Sequence, residues 1–164
     1  TVSVQATPLT WMLTGVTFVD GATASGSFVF DAATNTYLSW DITTTPTVPP
    51  NSNNGGLSNL LNGKSYTTNN LGNAPTSYYL NPSALGVLDA VGNKFGLVYL
   101  SALTDAGGVI ALKPGSMGYE FNGSKTRGVS AGSVTAAVPE PGTYALMLAG
   151  LSLVGWARRR LASD

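Results

Sequence analysis

The chain has 164 residues, a length typical of one domain, and its formal net charge at pH 7 is zero. Charged residues make up only 10 % of it, and it contains neither Cys nor His. This excludes disulfides, thiolate chemistry and the most common general base and metal ligand. The basic residues before position 138 form no stripe, so the charge pattern also excludes nucleic acid as a partner.

Residues 9–44 predict a three-stranded antiparallel meander. Three segments alternate apolar and polar side chains, the pattern of half-buried strands: residues 9–18, 23–31 and 37–44. Asp20-Gly21 predicts a two-residue hairpin turn with positive φ at both positions, and residues 31–35 predict a second turn. Gly15 marks a change of apolar parity that indicates a bulge. The side chains expected to be mostly buried are Phe28, Phe30, Leu38 and Trp40.

Residues 45–77 predict a long polar surface loop, because Pro46, Pro49 and Pro50 exclude a central strand there. A short helical turn is expected within this loop at residues 57–61. Further short strands are predicted beyond it, at residues 77–80, 84–91, 95–103, 109–112, 119–121 and 127–137. Residues 1–137 are therefore interpreted as one all-β domain, an antiparallel β-sandwich or meander of about seven to nine strands.

The acidic residues and hydroxyl groups form no recognisable catalytic constellation. Asp20, Asp31 and Asp105 fall at predicted turns, where carboxylates cap backbone amides. Asp20, Asp31 and Asp41 are not expected to meet another acid in a pocket, as a glycosidase would require. No Ser has a His partner, and neither a G-x-S-x-G sequence nor a calcium-loop sequence occurs. We expect no enzyme activity, no catalytic residue, no cofactor and no metal, and we interpret the aromatic residues as core.

Residues 138–164 differ from the rest of the chain. Pro139-Glu140-Pro141 is expected to be extended, because proline cannot lie inside a helix. Residues 144–157 carry no charge and predict a single hydrophobic α-helix of roughly 21 Å, shorter than the bilayer core of about 30 Å. The side chains predicted to form its apolar surface are Tyr144, Leu146, Met147, Leu148, Leu151, Leu153, Val154 and Trp156.

A basic stop follows this apolar segment and consists of Arg158, Arg159 and Arg160. Arginine side chains reach the membrane interface from a short helix, and positive charge favours the cytoplasmic side. The pattern therefore predicts a membrane anchor with its arginines in the cytoplasm and the preceding domain outside.

The tail resembles the PEP-CTERM sorting signal of Gram-negative bacteria, which consists of a Pro-Glu-Pro motif, a hydrophobic helix and a terminal arginine cluster. The resemblance covers residues 138–160, and residues 8–45 also resemble the opening of many proteins that carry such a tail. It implies export by the Sec route and recognition by an exosortase, for which Pro139-Glu140-Pro141 would be substrate. Association with exopolysaccharide is implied in the same way. Because the chain begins at Thr1, we expect that a signal peptide preceded it.

These observations predict a non-catalytic, exported surface or extracellular-matrix structural protein. The expected domains are an extracellular β domain at residues 1–137 and a sorting and membrane or assembly helix at residues 138–164. The expected location is the inner membrane before processing and the cell surface or exterior afterwards. One alternative is a self-assembling subunit of an extracellular filament or sheath. Another is a carbohydrate-binding module, which would need clustered exposed Trp or Tyr, whereas Trp11 and Trp40 are predicted to face inward.

Overall fold

The computed structural model describes residues 7–47, 61–68, 77–123, 125–137 and 151. The described part of the chain up to residue 137 contains ten β-strands. They are β1 (Leu9–Phe18), β2 (Thr23–Asp31), β3 (Thr36–Thr44), β4 (Ser65–Thr67), β5 (Ser77–Asn81), β6 (Ala84–Leu88), β7 (Lys94–Val98), β8 (Gly108–Ala111), β9 (Gly115–Asn122) and β10 (Lys125–Ala136).

The strands form one antiparallel, curled sheet in the order β4-β3-β2-β1-β10-β9-β7-β6-β5. β10 is central: it pairs with β1 on one side, and on the other side with β9 through its first half and β8 through its second half. The inward side chains of β1–β4, β6–β8 and β10 share one core, which is rich in aromatic residues. Its fully buried members include Trp11, Tyr66, Phe28, Phe30, Phe95, Leu85 and Leu97.

The Tyr37 side chain joins the two halves of the curled sheet. Its hydroxyl lies 3.1 Å from the carbonyl oxygen of Asn81 and 3.2 Å from that of Ala84, so β3 contacts the far end of the strand order. The Tyr99 hydroxyl lies 3.4 Å away. Burial raises the pKa of Tyr37 well above its ordinary value, so this hydroxyl stays protonated and serves as a donor.

The predicted all-β fold and the meander at residues 9–44 are confirmed, with β1, β2 and β3 antiparallel. The predicted bulge is also confirmed, because the β1–β2 register shifts between Met12 and Val16. The predicted two-residue turn is wrong: only Gly21 has a positive φ, at 81°. The Phe18 amide donates to the Ala22 carbonyl at 2.8 Å, so the loop contains three residues.

Phe28, Phe30 and Trp40 are buried as predicted, but Leu38 is 52 % exposed. The cause is a bulge in β3, where Val29 pairs with Ser39 and Phe30 pairs with Tyr37. Leu38 is the extra residue between these two pairs, and Tyr37 takes the inward position instead. Simple alternation along the strand could not locate this change of phase.

The predicted loop at residues 45–77 contains β4, which pairs with β3 through Asp41, Ile42 and Thr43. Three residues are too few to show an alternating pattern, so the sequence contained no signal for this strand. The helical turn expected at residues 57–61 falls almost entirely outside the described residues. The predicted hydrophobic helix also lies outside them except for Leu151, which is helical and 58 % exposed.

We expect Tyr37→Phe to lower the free energy of unfolding by about 1–2 kcal/mol, because it removes only the hydroxyl that joins β3 to Asn81 and Ala84. Leu38→Ser should change it by no more than about 0.5 kcal/mol, because that side chain faces solvent. Urea unfolding followed by tryptophan fluorescence measures both. A large loss of stability in Leu38→Ser would contradict the conclusion that the bulge in β3 exposes Leu38.

Candidate functional site

A buried ion pair between Glu120 of β9 and Arg127 of β10 lies in the interior. Glu120 is fully buried and Arg127 is 2 % exposed. The Arg127 Nε donates to Glu120 Oε2 at 2.6 Å, and Nη2 contacts the same oxygen. The guanidinium lies over the Phe18 ring, 4.3 Å from its centroid, which adds a cation–π contact.

Both oxygens of the Glu120 carboxylate accept hydrogen bonds, and the donors to Oε1 come from distant parts of the chain. Its Oε1 accepts from the Thr44 hydroxyl and from the Tyr66 hydroxyl, each at 2.8 Å. Burial first, and then the charge and hydrogen bond of Glu120, raise the pKa of Tyr66 far above its ordinary value. The Tyr66 hydroxyl therefore stays protonated and donates a hydrogen bond to the carboxylate. Each oxygen of the buried Glu120 carboxylate thus has at least one hydrogen-bond donor.

Asp20 adds a second carboxylate to this cluster. Its Oδ2 lies 3.3 Å from Arg127 Nη1 and accepts from the Thr47 hydroxyl at 2.7 Å, while Oδ1 accepts from the Ala22 amide at 3.2 Å. Arg127 Nη2 also donates to the Thr45 carbonyl at 2.8 Å. The cluster therefore joins the β1–β2 loop, the segment after β3 and the β9–β10 hairpin.

The expectation that Asp20 meets no other acid in a pocket did not foresee that Asp20 and Glu120 share Arg127; the cation lies between the two carboxylates, and Glu120 is fully buried rather than in an open cleft. The expectation is confirmed for the other two residues: Asp41 is exposed, and Asp31 caps its own turn by accepting from the Ala33 amide. A hydrogen bond from the Thr34 hydroxyl lowers the pKa of Asp31 below its ordinary value. Because one guanidinium contacts both carboxylates and Glu120 has no solvent exposure, the contacts of the cluster are those of a buried structural ion pair.

Among the described residues, no group of three or more His, Cys, Asp and Glu side chains could hold a metal ion. Trp11 and Trp40 are buried, as predicted, and their indole N–H groups have no hydrogen-bond partner within the part of the chain that the structure describes. Neither tryptophan can therefore serve as a surface platform.

Two aromatic residues that we interpreted as core are only partly buried. Tyr119 and Phe121 alternate along β9 with the buried Gly118 and Glu120, so they face the outside of the sheet. They line a surface depression of about 330 Å³ together with Lys94 and Thr126. The sequence Gly-Tyr-Glu-Phe suggests aromatic residues inside and Glu outside. The partners of Glu120 reverse this: Arg127 on the paired strand, and Thr44 and Tyr66 from distant parts of the chain.

The outer face of the other half of the sheet carries mainly hydroxyl groups. Pairs on neighbouring strands are in contact: the Thr14 and Thr135 hydroxyl oxygens lie 3.3 Å apart, and those of Thr43 and Ser65 lie 3.4 Å apart. The exposed or half-exposed hydroxyl residues of this face are Thr10, Thr14, Ser25, Ser27, Ser39, Thr43, Ser65, Thr67, Ser133 and Thr135.

The predicted sorting residues lie almost wholly outside the described part of the chain. These are Pro139, Glu140, Pro141, the apolar set from Tyr144 to Trp156 and the three arginines, of which only Leu151 is described. β10 ends at Ala136, and the exposed Ala137 follows it.

No helix among the described residues is both long enough and apolar enough to cross a membrane. A family model described as the PEP-CTERM protein-sorting motif matches residues 137–160. No curated protein and no solved structure shows significant similarity to the chain.

We expect Arg127→Met to lower the free energy of unfolding by about 3–5 kcal/mol, because it leaves Glu120 buried without its counter-charge. The double variant Glu120→Leu/Arg127→Met should have a higher free energy of unfolding than Arg127→Met alone, because no unpaired Glu120 carboxylate remains. Urea unfolding measures all variants, and Lys113→Met, which changes an exposed cation, is the matched control. A double variant as unstable as Arg127→Met would show that the pair itself stabilises the fold.

Proposed function

Because the chain carries a PEP-CTERM protein-sorting motif at residues 137–160, we propose that it is a non-catalytic structural protein of the bacterial surface or extracellular matrix. The motif implies export and processing by an exosortase. Within it, we assign Pro139-Glu140-Pro141 as the sequence that the exosortase recognises. The motif match is the observation that carries this proposal.

The remaining parts of the tail have distinct roles in this proposal. The apolar residues from Tyr144 to Trp156 hold the exported protein in the inner membrane until it is processed. Arg158, Arg159 and Arg160 stop translocation on the cytoplasmic side, because moving arginines through the bilayer is costly. After processing, the β domain at residues 1–137 is presented at the cell surface or outside the cell.

Several features of the β domain support a structural role. Asp20, Glu120 and Arg127 are held together by one another, and the Glu120 side chain has no contact with solvent. The hydroxyl-bearing outer face needs few charges to stay hydrated, and its Ser and Thr residues can hydrogen-bond to the hydroxyl groups of a hydrated matrix.

A filament subunit is the second candidate, and the edge strand β5 favours it. Among the described strands β5 pairs only with β6, and its Tyr79 and Leu80 are 46 % and 39 % exposed. An exposed edge with apolar side chains can pair with another copy of the chain.

We expect Pro139-Glu140-Pro141→Ala-Ala-Ala to block processing, so that the protein stays in the inner membrane with its C-terminus intact. Cell fractionation with mass spectrometry of the C-terminal peptide measures this outcome. The matched control is Ser25→Ala/Ser27→Ala/Ser39→Ala, three substitutions on the outer face that should leave processing unchanged. Normal processing and export of the triplet variant would refute the sorting role of these residues.

If the filament alternative is correct, negative-stain electron microscopy of the purified protein will show fibres, and Leu80→Lys will abolish them by placing a charge on the β5 edge. Under the leading proposal we expect single particles for both proteins. Fibres formed equally by parent and variant would show assembly through a surface other than β5.

A further inference from the structure

Tyr119 and Phe121 form a small aromatic platform on the outer face of β9. They are separated along the strand by Glu120, whose side chain points the opposite way into the core. The ion pair with Arg127 fixes this orientation, and hydrogen bonds to both neighbouring strands hold β9 in place. The two rings are therefore held by a rigid part of the sheet, so that little ordering is needed on binding.

The residues directly opposite Tyr119 on the two neighbouring strands are glycines. Tyr119 pairs with Gly96 on β7 and with Gly128 on β10, so neither cross-strand neighbour has a side chain. Phe121 pairs with Lys94 and Thr126, which supply a cation and a hydroxyl at the rim of the depression. The Lys94 Nζ lies 5.8 Å from the centroid of the Phe121 ring.

The size of the depression favours a small or thin ligand. Its volume of about 330 Å³ is at the lower end of the range for small-molecule sites, roughly 300–1,000 Å³. A stable protein partner would need about 800 Å² of surface on each side, far more than two half-buried rings offer. The depression therefore matches a few rings of a chain-like ligand better than a protein.

We propose that this platform binds pyranose rings of a polysaccharide. One face of a pyranose ring carries C–H groups, whose hydrogens are attracted to the negative face of an aromatic ring. Sugar hydroxyl groups can then hydrogen-bond to Lys94 and Thr126 at the rim. The choice of an extracellular polysaccharide rests on the proposed export of the domain, because glycans are the abundant polymers that an exported domain meets.

The test uses the purified full-length chain in detergent and native electrophoresis in gels that contain a soluble polysaccharide. Hydroxyethyl cellulose serves as the neutral probe and alginate as the acidic probe. We expect at least one of these polysaccharides to slow the migration of the chain. Tyr119→Thr/Phe121→Thr should raise the dissociation constant for that polysaccharide by about tenfold or more. Binding to alginate alone, with the same loss in the double variant, would identify acidic glycans as the ligand class.

The controls separate ring stacking from folding and from charge. Tyr119→Phe keeps the ring and should retain binding, and Met12→Ala removes an exposed apolar side chain from β1 and should also retain it. The urea unfolding midpoint of the double variant should stay close to that of the parent, which shows that the fold is retained. Absence of retardation by both probes, or retardation unchanged in the double variant, would overturn the proposal. Polysaccharide binding and C-terminal processing are measured separately, so failure of this proposal leaves the sorting role to its own test.

Discussion

The buried pair of Glu120 and Arg127 determines how the β9–β10 hairpin sits in the sheet. A carboxylate with no solvent exposure needs a counter-charge and hydrogen-bond donors, and Arg127, Thr44 and Tyr66 supply them. A shift of β9 by one residue would expose Glu120 and bury Tyr119 and Phe121. A buried ion pair is weak evidence for stability, so its clearest role here is to specify this register.

The same pair organises parts of the chain that are far apart in sequence. Arg127 contacts Asp20 in the loop between β1 and β2. The Thr44 hydroxyl at the end of β3 donates to Glu120, and the Thr47 hydroxyl in the polar loop that follows β3 donates to Asp20. Long polar loops contain little apolar surface with which to pack against a domain. Hydrogen bonds to the buried charge cluster hold the polar loop after β3 at the point where it leaves the sheet.

The local pattern of the sequence predicted the meander well, because alternation and turn residues act over a few positions. It failed where a partner on a neighbouring strand decides which way a side chain faces. Leu38 is exposed because the bulge in β3 lies opposite Val29 and Phe30. Tyr119 and Phe121 face outward because of Arg127, and their partners could be found only from the sheet topology. The sorting motif was identifiable because a linear signal needs no tertiary contact.

The position of β10 has a mechanical consequence for a domain that is held by its C-terminal end. Tension would enter the domain at Ala136, where β10 is paired with Trp11 of β1 on one side and Gly108 of β8 on the other. Hydrogen bonds between antiparallel strands run perpendicular to the strands, so a pull along β10 shears many of them at once. Among the described strands, β5 is bonded on one side only, so the same pull along β5 would meet fewer hydrogen bonds. A domain held through a central strand would therefore resist a pull at its C-terminal end better than one held through an edge strand.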